Sequence, residues 1–238
     1  MLYDGIESED WQMGGFFAVA SKEDCVFDLF FGTDYHSHLG TRRGGMAVYG
    51  NGEFNRAIHN IENSPFRTKF DQDLNEMQGT AGIGCISDSD PQPVLIRSRH
   101  GTYAISTIGI INNSAELIDE NVVGGNHFDA MTGGAVNSTE LAAALINGKD
   151  SFVEGIKYAQ ERVEGTLSIL ILKDNGHLIA ARDKKGRIPV IIGKNDDGYS
   201  VTFESFANYK LNYKIKNVTF NVDNQHFRKL STSMYCYR

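Results

Sequence analysis

The stretch WQMGGFFAVA, residues 11–20, runs through two glycines into an apolar segment of the kind that fills a buried strand. The chain before Gly14, residues 1–13, is an acidic leader. No Ser, Thr or Cys stands where the strand begins, so this position offers no hydroxyl or thiol for nucleophilic attack. We therefore predict a first strand over residues 15–20 with two glycines, and no reactive side chain, at its entrance.

The bulk composition is that of a globular protein. The chain has 238 residues and a formal net charge of -7, which suits one large domain or at most two small ones. Charges of both signs are interspersed, so no basic face is available for nucleic acid. No apolar run approaches the ~20 residues of a membrane span, and the acidic N-terminus is unlike a signal peptide. These features predict a cytoplasmic protein that binds neither nucleic acid nor membranes.

The cysteines and histidines give little sign of a metal site. Cys25, Cys85 and Cys236 lie far apart and form no CxxC pair, which argues against a disulfide framework and a zinc site and favours a reducing compartment. His36 and His38 alternate as on a strand, but no third ligand lies within sequence reach. We expect no metal and no cofactor.

The apolar pattern predicts mainly strands, with a helical pair in the middle of the chain. The predicted strands are residues 15–20, 45–49, 82–87, 103–107, 166–173, 177–182, 189–193 and 199–203, and the predicted helices are 24–31, 138–146 and 151–163. Ser21 is the expected cap of the first helix, and a capping box is expected at Ser138 or one residue to either side. Asn175-Gly176 predicts a tight hairpin turn with two positive φ angles. This order favours an α+β layered sandwich over a doubly wound parallel sheet.

Single motifs carry weak functional signals. The turn GTRRGG, residues 40–45, could hold an anion between the guanidinium groups of Arg42 and Arg43 and the glycine amides. Cys85 lies in the apolar strand GIGCIS, where a free cysteine is more often a buried hydrophobe than a reactive thiol. Asp88 and Asp90 are expected to order a turn rather than to form an acid–base pair.

Several segments, taken together in order, resemble one family. In chain order they are GGFFAV (14–19), LGTRRGGMAVYG (39–50), GIGCISDSDPQPV (82–94), YAISTIGIINNSAEL (103–117), VNSTELAAALI (136–146), VEGTLSILIL (163–172), ARDKKGRIPV (181–190) and FESFA (203–207). The collinear set is similar to the class II glutamine amidotransferase domain, the glutaminase half of amidophosphoribosyltransferases of purine nucleotide biosynthesis. The likeness covers residues 14–211.

The resemblance implies a four-layer αββα sandwich, the fold of the N-terminal-nucleophile hydrolases. In that family the thiol of the first residue attacks the glutamine amide, and its own α-amino group is the general base. An arginine binds the α-carboxylate of glutamine and an aspartate binds its α-amino group. An asparagine side chain and a glycine amide form the oxyanion hole.

Carried over residue by residue, almost every role falls on a side chain that cannot perform it. Gly14 stands in the place of the nucleophile, and Cys85 stands in the place of the carboxylate-binding arginine. Ile108 replaces the oxyanion asparagine, and only its neighbour Gly109 is retained. Ser138 stands in the place of the aspartate. Ile108 and Ile110 are expected to fill the former oxyanion pocket, so we expect a stable domain that has lost glutamine hydrolysis.

The resemblance also implies possible partners. The expected role is a structural or regulatory module that packs on a phosphoribosyltransferase domain, in cis or in trans, and the chain could also form a homo-oligomer. Residues 14–213 are the expected glutaminase-like domain, and residues 214–238 a strand and tail that could be the stump of the missing half. Some family members bind an iron–sulfur cluster near the position of Cys236, but its other ligands would come from outside this chain.

Two other functions stay open at this point. The first is an active amidohydrolase or ammonia donor with a relocated nucleophile, for which Cys25 and Cys85 are the candidate thiols. The second is a small-molecule sensor that uses the remodelled pocket. An open pocket lined by Arg42, Arg43 and Cys85 would favour ligand binding, whereas a sealed apolar pocket would favour the scaffold role.

Overall fold

The computed structural model describes residues 14–216, 228–229 and 234–237. The predicted leader, residues 1–13, lies outside the described residues, as does the side chain of Cys236. Six α-helices are described: α1 (Val26–Asp34), α2 (Phe66–Phe70), α3 (Ser114–Val123), α4 (Ser138–Asn147), α5 (Phe152–Arg162) and α6 (Ser205–Lys210). A short 3-10 helix spans Asp73–Asn75.

The described strands form two large sheets and one small ribbon. In chain order they are β1 (Gly14–Ser21), β2 (Arg43–Gly50), β3 (Glu53–Asn60), β4 (Ala81–Ser87), β5 (Val94–Ser98), β6 (Gly101–Ile111), β7 (Met131–Thr132), β8 (Ala135–Val136), β9 (Gly165–Lys173), β10 (Leu178–Ala181), β11 (Ile191–Lys194), β12 (Gly198–Thr202), β13 (Lys214–Lys216), β14 (Arg228–Lys229) and β15 (Met234–Tyr237). The first sheet has the order β13-β11-β12-β1-β4-β2-β3, and the second has the order β14-β15-β10-β9-β6-β5. All described neighbours pair antiparallel except β10 and β15, which run parallel.

Strand β1 shows why the two sheets stack. Phe16 and Ala18 point into the layer between the sheets, where they pack with Leu170 of the second sheet. Phe17 and Val19 point the other way, into a cluster formed with α1, α2 and α6. Because both faces of the strand are buried, its sequence is a continuous apolar run rather than an alternating one.

The second sheet is covered in the same way. Its outer face packs on α3, α4 and α5 through a cluster that includes Leu141, Ile156 and Ile169. Three apolar clusters thus separate four layers in the order helices, sheet, sheet, helices. The expected αββα sandwich is confirmed. Among the described residues, no helix combines the length and the apolar sequence that a bilayer span requires.

The eight predicted strands are all present, and two strands that were not predicted, β3 and β5, are at the edges of the two large sheets. Strand β3 was not predicted because it is mostly half-exposed, with no two-residue alternation of buried side chains. The cap of α1 is not Ser21, since the helix begins at Val26 and the Val26 N–H donates to Asp24 Oδ1 at 3.1 Å. Helix α4 is capped one residue before Ser138, where Asn137 Oδ1 accepts from the N–H groups of the second and third helical residues.

The predicted hairpin turn forms with a different backbone. Gly176 has φ +74°, but Asn175 does not adopt a positive φ, so the predicted pair of positive φ angles is wrong. The Gly176 N–H donates to Lys173 O at 3.0 Å, and the Lys173 N–H donates to His177 O at 2.9 Å. This is a longer hairpin loop in which a single glycine supplies the left-handed residue.

Candidate functional site

Four of the predicted site residues meet around one small cavity. Gly14 begins β1 and pairs with Ser87, the last residue of β4. Ile108 and Gly109 come from β6, and Ser138 is the first residue of α4. The cavity that these residues line has a volume of about 20 Å³. One water molecule needs roughly 10–15 Å³ by the same measure, so the cavity is far too small for a glutamine side chain.

The backbone around Gly14 leaves no room for a side chain. A Cβ atom at position 14 would lie 2.6 Å from the carbonyl oxygen of Ile86 on the neighbouring strand β4. Non-bonded carbon and oxygen atoms do not approach so closely without a shift of one of the two strands. The position predicted for the degenerate nucleophile is therefore closed by main-chain atoms, which a change of rotamer cannot move.

Ile108 and Gly109 are neighbours on β6, but only Gly109 has a backbone conformation that requires glycine. Gly109 has φ +149°, and a Cβ there would clash with the backbone oxygen of Thr166, so glycine is needed at this position. Ile108 is 9% exposed and packs in the layer between the sheets. Ile110 was expected to help fill the same pocket, but it is 39% exposed and is absent from the cavity wall.

The polar groups beside the cavity are largely bonded to one another. Asp90 Oδ2 accepts from the Ser138 N–H at 2.9 Å. Gln92 Oε1 accepts from the Thr107 N–H at 2.7 Å, and the hydroxyls of Thr107 and Thr139 lie 2.7 Å apart. A buried network that satisfies its own members rigidifies the structure around it. It joins the loop after β4 to β6 and to the start of α4.

Sequence reasoning missed several residues of this network. Asp90 was expected only to order a turn, and neither Gln92 nor Thr107 was singled out. Ser87 and Ser89 also line the cavity, and their hydroxyl oxygens lie 3.3 Å apart. Ser87 could have been found only from the pairing register that sets it opposite Gly14, and the sequence alone does not fix that register.

Cys85 lies outside the cavity wall. It pairs with Phe16 on β1, is 1% exposed, and packs in the layer between the sheets. Burial raises the pKa of its thiol to about 12. Burial also raises the pKa of the Cys25 thiol, and the nearby charges of Asp24 and Asp28 add to that rise. Both thiols are therefore protonated at neutral pH and are poor nucleophiles.

Neither Arg42 nor Arg43 lines the cavity. The Thr41 and Arg42 N–H groups both donate to Asp88 Oδ1, at 2.6 and 3.1 Å. The carboxylate of the protein itself thus occupies these two amides of the turn. The Arg42 side chain is exposed, and Arg43 begins β2 opposite Ser87.

The two histidines make separate contacts. His36 is fully buried, with Nδ1 at 2.7 Å from Gly32 O and Nε2 at 3.0 Å from the Thr202 hydroxyl, and burial lowers its pKa. His38 Nε2 lies 3.0 Å from a carboxylate oxygen of Glu204. Across the described residues, no group of three or more His, Cys, Asp or Glu side chains could hold a metal ion.

Comparison with known proteins gives one family and a consistent fold. A family model described as a glutamine amidotransferase domain matches residues 81–210. An amidophosphoribosyltransferase of Methanocaldococcus jannaschii is 28% identical over 207 residues, which are 82% of this chain and 43% of the relative. An amidophosphoribosyltransferase of Synechococcus elongatus is 25% identical over 189 residues, which are 76% of this chain and 37% of the relative. The chain thus spans less than half the length of these relatives.

Two solved structures share the fold. The glutamine phosphoribosylpyrophosphate amidotransferase of B. subtilis, complexed with ADP and GMP, superposes with a TM-score of 0.73 at 22% identity. That match covers 85% of this chain and 44% of the other. A glutamine aminotransferase class-II domain protein of Silicibacter pomeroyi superposes with a TM-score of 0.55 at 14% identity, over 80% of this chain and 86% of the other. At these identities the likeness establishes the fold.

Proposed function

The chain belongs to the glutamine amidotransferase domain family, and from that premise we propose that it no longer hydrolyses glutamine. It acts instead as a structural or regulatory module of an amidophosphoribosyltransferase-like protein. The observation that carries this proposal is the closure of the site at Gly14. The carbonyl oxygen of Ile86 occupies the space that the first side-chain atom of a nucleophile would need. Glycine itself supplies neither a thiol nor a hydroxyl.

The size of the cavity supports the same conclusion. Its volume of about 20 Å³ disfavours the binding of glutamine and also disfavours a small-molecule sensor that uses this pocket. Ile108 provides no donor for an oxyanion, and Ser138 provides no carboxylate for the α-amino group of a substrate. Asp90 does bring a carboxylate to the cavity wall, but one of its oxygens already accepts from the start of α4.

A relocated thiol nucleophile is disfavoured by burial. Cys85 lies in the layer between the sheets, and Cys25 is 2% exposed beside α1. Neither thiol lines the cavity, and the raised pKa of each leaves almost no thiolate at neutral pH.

The partner that we propose is a phosphoribosyltransferase domain, in cis or in trans. The relatives are named amidophosphoribosyltransferases, and the match covers less than half of their length. Apolar side chains that such a partner could cover are exposed on α6 and β13: Phe206 is 48%, Tyr209 79% and Ile215 50% exposed.

A glutaminase assay on the purified chain tests the loss of activity. We expect glutamate release from L-glutamine at the rate of the protein-free blank, both for the chain and for the Cys25→Ala/Cys85→Ala variant. Protein-dependent release would overturn the proposal. Release that disappears in the double variant would point to a relocated thiol, and release that persists would point to another nucleophile. Circular dichroism confirms that the variant is folded.

A further inference from the structure

A second and larger cavity also has Leu167 in its wall. Its volume is about 410 Å³, and Leu167 lines both this cavity and the small one at Gly14. Its other walls are the end of α5, the start of β9 and the loop that follows β10. The remaining lining residues are Asn112, Gln160, Val163, Glu164, Gly165, Asp183, Lys184, Lys185 and Arg187. A volume of this order is typical of sites for small molecules.

The loop after β10 is a turn held tightly at its base. The Gly186 N–H donates to Asp183 O at 2.8 Å, and Gly186 has φ +68°. The Arg187 N–H donates to Asp183 Oδ2 at 3.1 Å, and the other carboxylate oxygen accepts from the Leu167 N–H at 3.2 Å. Asp183 is buried, and both of its carboxylate oxygens accept hydrogen bonds from backbone N–H groups of the protein. These bonds fix where the turn presents its two central residues.

The two central residues are lysines without an internal counterion. Lys184 and Lys185 are exposed, line the cavity, and form no hydrogen bond or ion pair with any described residue. Arg187, unlike the two lysines, has partners within the protein: it donates to Gly165 O, and its guanidinium group lies 3.9 Å from the Asp183 carboxylate. Glu164 is the one further carboxylate on the wall. The wall therefore carries two lysines that no described residue neutralises, beside Arg187 and the carboxylates of Asp183 and Glu164, of which Asp183 is already hydrogen-bonded.

We propose that this cavity binds a small molecule that carries phosphate groups, with Lys184 and Lys185 contacting the phosphates. Lysine binds phosphate as a point charge, and two lysines on one fixed turn match a polyanion better than a single carboxylate. Val163 and Leu167 supply the apolar side chains of the wall. Asn112 and Glu164 are placed to contact hydroxyl or amino groups. The site is independent of whether the domain hydrolyses glutamine.

Titration calorimetry with inorganic pyrophosphate on the intact chain tests the proposal. The Lys184→Ala/Lys185→Ala variant should bind pyrophosphate at least ~10-fold more weakly than the wild type, since it loses two charge-assisted contacts to the phosphates. Lys214→Ala/Lys216→Ala is the matched control, because it removes the same charge from exposed lysines on β13. The control should bind as the wild type does.

Three results would overturn the proposal: no binding of pyrophosphate to the wild type, equal weakening in both double variants, or citrate binding as tightly as pyrophosphate. The first means that the lysines are only solvated, the second that net charge alone attracts the anion, and the third that the site has no preference for phosphate. Amide chemical shifts locate the ligand independently. On addition of pyrophosphate, the signals of Lys184, Lys185 and Gly186 should move while that of Lys216 stays in place.

Discussion

Two cavities share Leu167 as a wall and differ in size and in how their polar groups are bonded. The cavity at Gly14 has about 20 Å³, and Asp90, Gln92 and Thr107 beside it are hydrogen-bonded to neighbouring groups. The cavity at the turn after β10 has about 410 Å³, and its two lysines have no described partner. Polar groups that satisfy one another stabilise a fold, whereas polar groups left to solvent remain available to a ligand. The polar groups of the first cavity therefore stabilise the fold, whereas the lysines of the second are the groups that we propose for ligand binding.

Leu167 is the one residue that lines both cavities, so its truncation should have the largest effect. Leu167 is 3% exposed and belongs to the cluster between the second sheet and its helices. Leu167→Ala should lower the free energy of unfolding by about 3 kcal/mol, the cost of lost apolar burial plus a new void. Urea denaturation measures this loss. A crystal structure of the variant should show one continuous cavity where the wild type has two.

Val163→Ala is the control for this effect, because Val163 lines the larger cavity only and is half-buried. Its cost should be about 1 kcal/mol or less. If the two variants lose similar free energies of unfolding, Leu167 does not act as a packed wall between the two cavities.

A side chain at position 14 should be costly because the site is closed by backbone. Gly14→Ala places a methyl group 2.6 Å from Ile86 O, so β1 and β4 must separate locally. We expect a loss of about 2 kcal/mol in the free energy of unfolding, within the usual range for overpacking. Gly148→Ala is the matched control, since Gly148 has an ordinary helical φ of -65° and its nearest neighbour atom would lie at 3.3 Å. Equal stabilities of the two variants would mean that the entrance of β1 is not closed.

The sequence predicted the layers well because they depend on local composition. The run FFAVA is buried on both faces, and the helices after Asn137 and Ser151 carry cap residues that mark their starts. The resemblance drew attention to Gly14, Ile108, Gly109 and Ser138, and the structure brings all four to one cavity. Their roles as remnants of a catalytic site remain predictions.

The rest of the site depended on tertiary geometry that no local pattern encodes. Arg42 belongs to a turn whose amides are occupied by Asp88, a residue 46 positions away. Cys85 packs between the sheets and does not line the cavity, because its direction is set by the pairing of β4 with β1. The network around Asp90 joins three segments that are separate in the sequence, so only their packing reveals it.

Asp90 tests whether the hydrogen-bonded network beside the small cavity stabilises the fold. Asp90 is 8% exposed and accepts from the backbone N–H of Ser138, the first residue of α4. Asp90→Ala leaves that donor without its partner and removes a negative charge from a helix N-terminus. We expect a loss of about 1.5 kcal/mol in the free energy of unfolding, between the cost of a lost cap and that of a lost charged hydrogen bond.

Lys184→Ala is the corresponding variant in the larger cavity. Lys184 is exposed and has no described partner, so its removal should change the stability by less than about 0.5 kcal/mol. Guanidinium titrations of the two variants beside the wild type measure both values. A cost for Lys184→Ala as large as that for Asp90→Ala would show that the turn after β10 holds the fold together, and the lysine would then have a structural use. A neutral Asp90→Ala would show that Asn137 alone suffices to cap α4, because Asn137 Oδ1 already accepts from the next two N–H groups of the helix.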